Sequence, residues 1–268
     1  MRVEQLGAGD PDVAVVAAIH GDEPCGVHAV ERLLDSDPAV ERPVKLIVAN
    51  ERALGDGVRY VDTDLNRAFP GDPDADEYER RLAYDLADEL RGCTVLALHS
   101  TQSHPDPFAI VDGMDNPVRD LCPPLSVMAV VDTGQFVEGR LLVSPETIEV
   151  ECGLQGSDAA AENATRLVRE FLTATGVLAG DTVDHPVPAF RLTRVIPKPP
   201  ADDYEVFAEN FERVEEGETY AAVDGDALTA DEPFYPVLLS PYGYRDIFGY
   251  RSDRVGVLGA EAPELDAE

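Results

Sequence analysis

The chain has 268 residues, 44% of them hydrophobic, which is enough apolar material for one large domain or a domain with a small appendage. Its 53 acidic residues outnumber 21 basic ones, and the formal net charge of -32 at pH 7 argues against nucleic acid and anionic membranes as partners. No stretch approaches the ~20 apolar residues needed to cross a bilayer, and the opening MRVEQLGAGDPDV has no apolar signal region, so a soluble cytoplasmic protein is expected.

The acidity is spread along the chain, and every basic residue except Lys45 and Lys198 is an arginine. Self-repulsion on this scale predicts a halophilic protein whose compact state needs salt. Its thermal midpoint should rise from low to molar KCl, and a midpoint insensitive to KCl would remove the expectation. The four cysteines, Cys25, Cys93, Cys122 and Cys152, form no CxxC pair and read as buried free thiols, although Cys25 and Cys152 fall near motif residues.

Residues 13–19 (VAVVAAI) read as a buried strand. Residues 26–34 then carry Val27, Val30, Leu33 and Leu34 at helical spacing, and 44–49 read as a second strand. Over 76–90, Leu82, Leu86 and Leu90 recur every four residues, with acidic residues early and Arg91 late, as the helix dipole favours. Short apolar or β-rich runs follow at 94–98, 127–131 and 147–151. Ser157-Asp158 starts a helix to 172 with Leu167, Val168 and Phe171 on one face. Strands alternating with helices predict an α/β fold with a mainly parallel mixed sheet flanked by helices. After Gly180 the character changes: 184–188 reads as a linker, and short runs at 190–196, 219–223 and 237–239 suggest a small C-terminal β-rich appendage.

His20 and Glu23, in Ile19-His20-Gly21-Asp22-Glu23, fall just past the strand at 13–19, and His99 falls just past the strand at 94–98. Residues beyond the carboxyl ends of strands line the crevice of an open α/β sheet. Two histidines and one glutamate leave a zinc ion an open fourth position, the ligand set of a hydrolase rather than of a structural site. H-x-x-E is also common by chance, and a hydrogen-bonded polar cluster is the alternative. In Arg59-Tyr60-Val61-Asp62-Thr63-Asp64-Leu65-Asn66-Arg67, the Asn66 amide and Arg67 guanidinium suit a carboxylate, and Arg59 suits a developing oxyanion. A solvated loop is the alternative there. Along 148–152, alternation sets Ile148, Val150 and Cys152 on one face and Glu149 and Glu151 on the other. A carboxylate at the end of an inner strand suits a general base, whereas a solvent-facing edge position is the alternative for either glutamate. His28 and His185 read as ordinary polar residues, and His104 as a loop residue rather than a substrate contact.

Together H-G-D-E, R-Y-V-D-T-D-L-N-R-A-F, L-H-S-T and I-E-V-E-C-G resemble the succinylglutamate desuccinylase/aspartoacylase family, which is related to zinc carboxypeptidases, over roughly residues 13–250. The resemblance implies an amidohydrolase that cleaves a small anionic N-acyl amino acid to a free amino acid and a carboxylic acid, with one zinc ion per chain. It implies His20, Glu23 and His99 as metal ligands and Arg59 as the group that polarises the scissile carbonyl. Asn66 and Arg67 match the pair that binds a substrate carboxylate. Glu151 matches the general base that also passes the proton to the leaving amine. Arg140 and Tyr244 are the nearest matches to two further substrate contacts, with Tyr242 open as the alternative tyrosine, and Asp64 orients the loop or a ligand. On this basis residues 1–183 are the catalytic domain, and 184–268 cap the active site. A zinc carboxypeptidase acting on short peptides and a non-catalytic zinc-binding member are the competing readings.

Overall fold

The computed structural model describes residues 1–115, 117–137, 139–143, 146–242 and 245–259. The first half alternates strand and helix: β1 (Arg2–Leu6), β2 (Val13–Ala17), α1 (Cys25–Ser36), β3 (Val44–Val48), α2 (Glu51–Asp56), α3 (Tyr78–Glu89) and β4 (Thr94–Thr101). Next come β5 (Phe108–Val111), α4 (Val118–Leu121), β6 (Val130–Asp132), β7 (Thr147–Leu154) and α5 (Asp158–Ala174). The rest is β-structure: β8 (Val187–Pro197), β9 (Tyr204–Val206), β10 (Thr219–Val223), β11 (Asp226–Thr229), β12 (Tyr235–Val237) and β13 (Ile247–Leu258).

Ten strands form one sheet in the order β1-β3-β2-β4-β7-β5-β6-β8-β13-β12. The central run β3-β2-β4-β7 is parallel, β5 lies antiparallel to β7, and β5-β6-β8 is parallel again. Side-chain alternation divides the core between the two faces of this sheet. Val15, Leu46, Leu96, Leu98, Ile148 and Val150 point to one face and pack with Val27 and Val30 of α1 and Leu167 and Phe171 of α5. Ala14, Val16, Ile47, Val95 and Ala97 point to the other face and pack with Leu82 and Leu86 of α3 and with Leu65 and Phe69. The central strands are buried on both faces, which is why they read as unbroken apolar runs rather than alternating ones. α5 begins where Ser157 accepts a hydrogen bond from the Ala160 amide, as its sequence suggests.

The fold class is therefore α/β, with a mainly parallel mixed sheet flanked by helices and a small β-rich C-terminal sheet. β8, β13 and β12 continue the main sheet, while β9, β10 and β11 form a separate antiparallel sheet over a core containing Tyr220, Phe234 and Phe248. The segment 184–188 departs from the linker expectation, since Val187 and Pro188 already pair with Leu258 and Val257 of β13. Among the described residues, no helix is long and apolar enough to cross a membrane.

Candidate metal centre and active site

The carboxyl ends of β2, β4 and β7 meet on the sheet face that carries α3. Chain reversal after β2 depends on Gly21, where a Cβ would lie 2.1 Å from the Ala53 carbonyl carbon, so only glycine fits this approach to α2. The turn delivers His20 and Glu23, both under 5% exposed. His99 lies within β4, which extends to Thr101, and its register partner on β7 is Glu151. The β4–β7 pairing shifts between His99 and Thr101, an irregularity of the kind that re-aims side chains beside functional sites.

Both histidines turn Nδ1 toward one carboxylate: His20 Nδ1 is 2.8 Å from Glu23 Oε1, and His99 Nδ1 is 3.1 Å from Glu23 Oε2. The Ser100 amide donates to Glu23 Oε2 at 3.1 Å. One ligand atom from each of His20, Glu23 and His99 falls within 4.8 Å of the others, a spread that a single divalent ion with bonds of about 2 Å can gather. On its far side, His20 Nε2 lies 3.0 Å from Asp64 Oδ1. With Nε2–H donating to Asp64, the Nδ1 lone pair faces the Glu23 carboxylate, the carboxylate–histidine arrangement that orients a metal ligand. The His99 Nε2 atom is buried with no partner among the described residues.

The electrostatics favour a cation at this point. Burial alone would lower the His20 pKa, but the Glu23 charge and the hydrogen bonds to Asp64 and Glu23 outweigh it and raise it to about 9. His99 is raised by Glu23 against the same desolvation. Burial opposes ionisation of Glu23 and Asp64, yet the histidines hold Glu23 well below the carboxylate range, and His20 with Arg59 does the same for Asp64. A proton or a metal ion answers this excess of negative charge, and the nitrogen, oxygen, nitrogen donor set suits zinc. Asp64→Asn keeps the side chain's shape and its contact to the Asn66 amide but removes charge from His20. It should weaken zinc affinity about 10-fold, read by competition with a chelator; unchanged affinity would leave Asp64 a loop residue only.

The loop from Arg59 to Arg67 is fastened from below by Glu79, a fully buried carboxylate on α3 that sequence reasoning missed. It accepts hydrogen bonds from the amides of Val61, Asp62 and Thr63, at 2.6, 2.9 and 3.1 Å, and from Asn50 Nδ2 at 3.1 Å. Burial would raise its pKa, but these donors lower it. Glu79→Ala strands four donors and should cost on the order of 3 kcal/mol in denaturant unfolding. Glu79→Gln keeps an acceptor oxygen and should recover part of that loss; equal stability of the alanine variant and the parent would refute the role.

Above this anchor Arg59 donates to Glu23 Oε1 at 3.0 Å through Nη1 and to Asp64 Oδ2 at 3.2 Å through Nε. Asn66 sits in a short 3₁₀ turn, Leu65–Arg67, capped by Asp64. Its Nδ2 donates to Glu149 Oε1 at 3.0 Å, and its Oδ1 accepts from the Leu141 amide at 2.8 Å. The amide therefore ties the loop to β7 and to the segment carrying Arg140, leaving one Nδ2 hydrogen. Gly139 closes the same junction at positive φ, where a Cβ would meet the Arg67 carbonyl oxygen at 2.7 Å. Arg140, 5% exposed, reaches Glu149 Oε2 at 3.9 Å and donates to the Phe136 carbonyl.

Glu149 and Glu151 share the cleft face of β7, opposite Ile148, Val150 and Cys152 in the core. Neither is a solvent-facing edge residue, because β7 lies between β4 and β5 in the middle of the sheet. Glu151 keeps a buried Oε2 with no hydrogen-bond partner among the described residues, and burial pushes its pKa up to about 7. The cleft thus gathers His20, Glu23, Arg59, Asn66, Arg67, His99, Arg140 and Glu151, with the buried Leu238 and Ser240 also lining it.

Tyr244 lies outside the described residues, and Tyr242 is 78% exposed. His104 is a loop residue whose Nδ1 accepts from the Asp106 amide while its ring meets Phe211 edge-on. His28 is on the exposed side of α1, and His185 meets the Leu125 carbonyl. All four cysteines are buried and free; the Cys25 thiol touches the His99 carbonyl oxygen at 3.4 Å, behind the His20–Glu23–His99 cluster.

An α/β sheet whose strand ends unite two histidines and a glutamate beside Glu151, whose buried Oε2 has no hydrogen-bond partner among the described residues, is an arrangement that could hold a metal ion. Residues 9–119 match the Succinylglutamate desuccinylase/Aspartoacylase catalytic domain. Aspartoacylase of Xenopus tropicalis is 32% identical over 108 residues, covering 34% of this chain and 34% of the relative. N-acyl-aromatic-L-amino acid amidohydrolase (carboxylate-forming) B of Danio rerio is 36% identical over 89 residues, 29% of this chain and 28% of the relative. The chain thus matches about a third or less of the length of these curated relatives. In fold the likeness runs further: a product-bound structure of the ectoine utilization protein EutE (DoeB) from Ruegeria pomeroyi superposes with a TM-score of 0.76 at 18% identity. That superposition covers 93% of this chain and 88% of the other.

Proposed function

We propose that this protein is a zinc-dependent amidohydrolase that cleaves the amide bond of an N-acyl amino acid, releasing the free amino acid and a carboxylic acid. The observation that carries the reading is the convergence of His20, Glu23 and His99 beside Glu151, whose buried Oε2 lacks a partner among the described residues. His20, Glu23 and His99 would hold a zinc ion, which when bound would supply the Lewis-acid chemistry that activates water at neutral pH. Glu151 takes a proton from the attacking water and returns it to the departing amine. Arg59 stabilises the oxyanion that forms at the acyl carbon. Arg67 and the remaining Asn66 N–H bind the amino acid carboxylate and align the amide for attack, with Arg140 and Tyr244 as further substrate contacts. Every candidate chemical group but Tyr244 lies within residues 1–183, and 184–268 is proposed as the capping unit through Leu238 and Ser240.

The test is amine release by zinc-loaded protein in molar KCl from N-acetyl, N-succinyl and longer-acyl amino acids and a short peptide, with and without chelator. Chelator-sensitive turnover of an N-acyl amino acid is expected. Cleavage of the peptide alone would make the protein a carboxypeptidase, and tight zinc binding without turnover would make it a binding protein.

A further inference from the structure

We propose that Glu149 restricts the pocket to N-acyl amino acids with a single carboxylate, whose side chain is neutral or cationic, and disfavours dianionic substrates. This rests on the amidohydrolase reading and names its substrate class. The charge pairing within the cleft carries the argument. Three guanidinium groups line it, and two already face carboxylates: Arg59 spans Glu23 and Asp64, and Arg140 faces Glu149 at 3.9 Å. Arg67 donates to the Asn66 carbonyl oxygen, and among the described residues it has no carboxylate within ion-pair distance. One full positive charge is thus available at the cleft wall, which suits one substrate carboxylate.

A second carboxylate would have to settle at Arg140, next to the Glu149 carboxylate. Glu149 is 2% exposed and accepts the Asn66 Nδ2 bond through Oε1, so it cannot swing out into water without breaking the tie between the loop and β7. Like charges held this close in a buried cleft repel strongly and are poorly screened by salt. A buried carboxylate is also a costly way to hold an asparagine amide, because a neutral acceptor would serve without the desolvation penalty. A cationic substrate group, by contrast, would be attracted by the Glu149 charge.

The opposite role is that Glu149 merely positions Arg140 to receive a substrate carboxylate, and the two roles predict changes of opposite sign. Glu149→Gln keeps the shape and an acceptor for Asn66 but removes the charge. The readout is the ratio of kcat/KM for N-acetylaspartate to that for N-acetylalanine, with Nα-acetylornithine and N-succinylglutamate alongside. In the parent the single-carboxylate substrates should lead by at least about 10-fold, and E149Q should shift the ratio toward N-acetylaspartate by a similar factor. Preference of the parent for the dianions, or a fall of that ratio in E149Q, would overturn the proposal. The parent panel decides the matter if the variant fails to fold. Calorimetric binding of the same four compounds to zinc-loaded protein reads the ratio without turnover, so loss of the amidohydrolase reading and loss of this one are separate results.

Discussion

Replacing Glu151 by glutamine should lower kcat by about 10²–10⁴-fold while zinc stays bound. Glu151 is not one of the three converging side chains that could hold a metal ion, so its neutralisation leaves the nitrogen, oxygen, nitrogen set intact. What would be lost is the proposed base. Burial has moved this carboxyl up to about 7, where it accepts a proton far more readily than an ordinary carboxylate yet is still substantially ionised at neutral pH. The sign of the pH dependence follows: the acid form cannot accept a proton, so kcat/KM should fall as pH drops through the Glu151 pKa. A zinc ion opposes the effect of burial, so the limb is expected between the ordinary carboxylate range and about 7. E151Q should lose both the rate and the limb. Metal content by mass spectrometry and a pH profile check these points, and near-parent turnover with bound zinc would sink the base assignment.

Much of this site is legible in the sequence because its parts follow long-range rules. Parallel strands buried on both faces read as apolar runs, and their carboxyl ends point to one crevice, so His20, Glu23 and His99 can be grouped without any contact information. Alternation likewise puts Glu149 and Glu151 on one face of β7. What covers that face is a different matter. One strand's pattern does not reveal that β5 pairs antiparallel on its far side, so a solvent-facing edge stays open until the sheet order is known. β5 itself is only four residues after a proline-rich turn. β1 has too few buried residues to announce itself, and β13 is broken by glycines and charges and owes its strand form to pairing with β8. Glu79 was hidden for a related reason: an acidic residue at the start of a helix matches the dipole and looks solvated, and only the loop folded onto it shows its use.

The net charge of -32 and the carboxylate of the proposed substrate are reconciled at short range. The cleft sets Arg59, Arg67 and Arg140 against Glu23, Glu149 and Glu151, and a bound zinc ion adds two positive charges where the reacting groups meet. Salt screens the distant surface carboxylates far more than these partly buried neighbours. Salt should therefore act on stability and on substrate capture more than on the chemical step.

Replacing Arg59 by glutamine should lower kcat by about 10²–10³-fold with little change in KM. Its guanidinium lines the cleft with 37% of the side chain exposed while two of its nitrogens hold Glu23 and Asp64. Those two bonds fix the plane of the guanidinium beside Glu23 and Asp64, which on the proposed mechanism preorganises it toward a charge that develops in the transition state. A purely structural arginine would behave differently. Arg59 lowers the His20 pKa, so its positive charge disfavours a cation at the ligands, and R59Q should bind zinc at least as well as the parent. A loss of rate with undiminished zinc affinity therefore separates oxyanion stabilisation from ligand positioning. Arg59→Lys restores the charge without the fork and should recover only part of the rate. If zinc affinity and kcat fall together in R59Q, Arg59 acts by holding Glu23 and Asp64 in place, and the oxyanion role is lost.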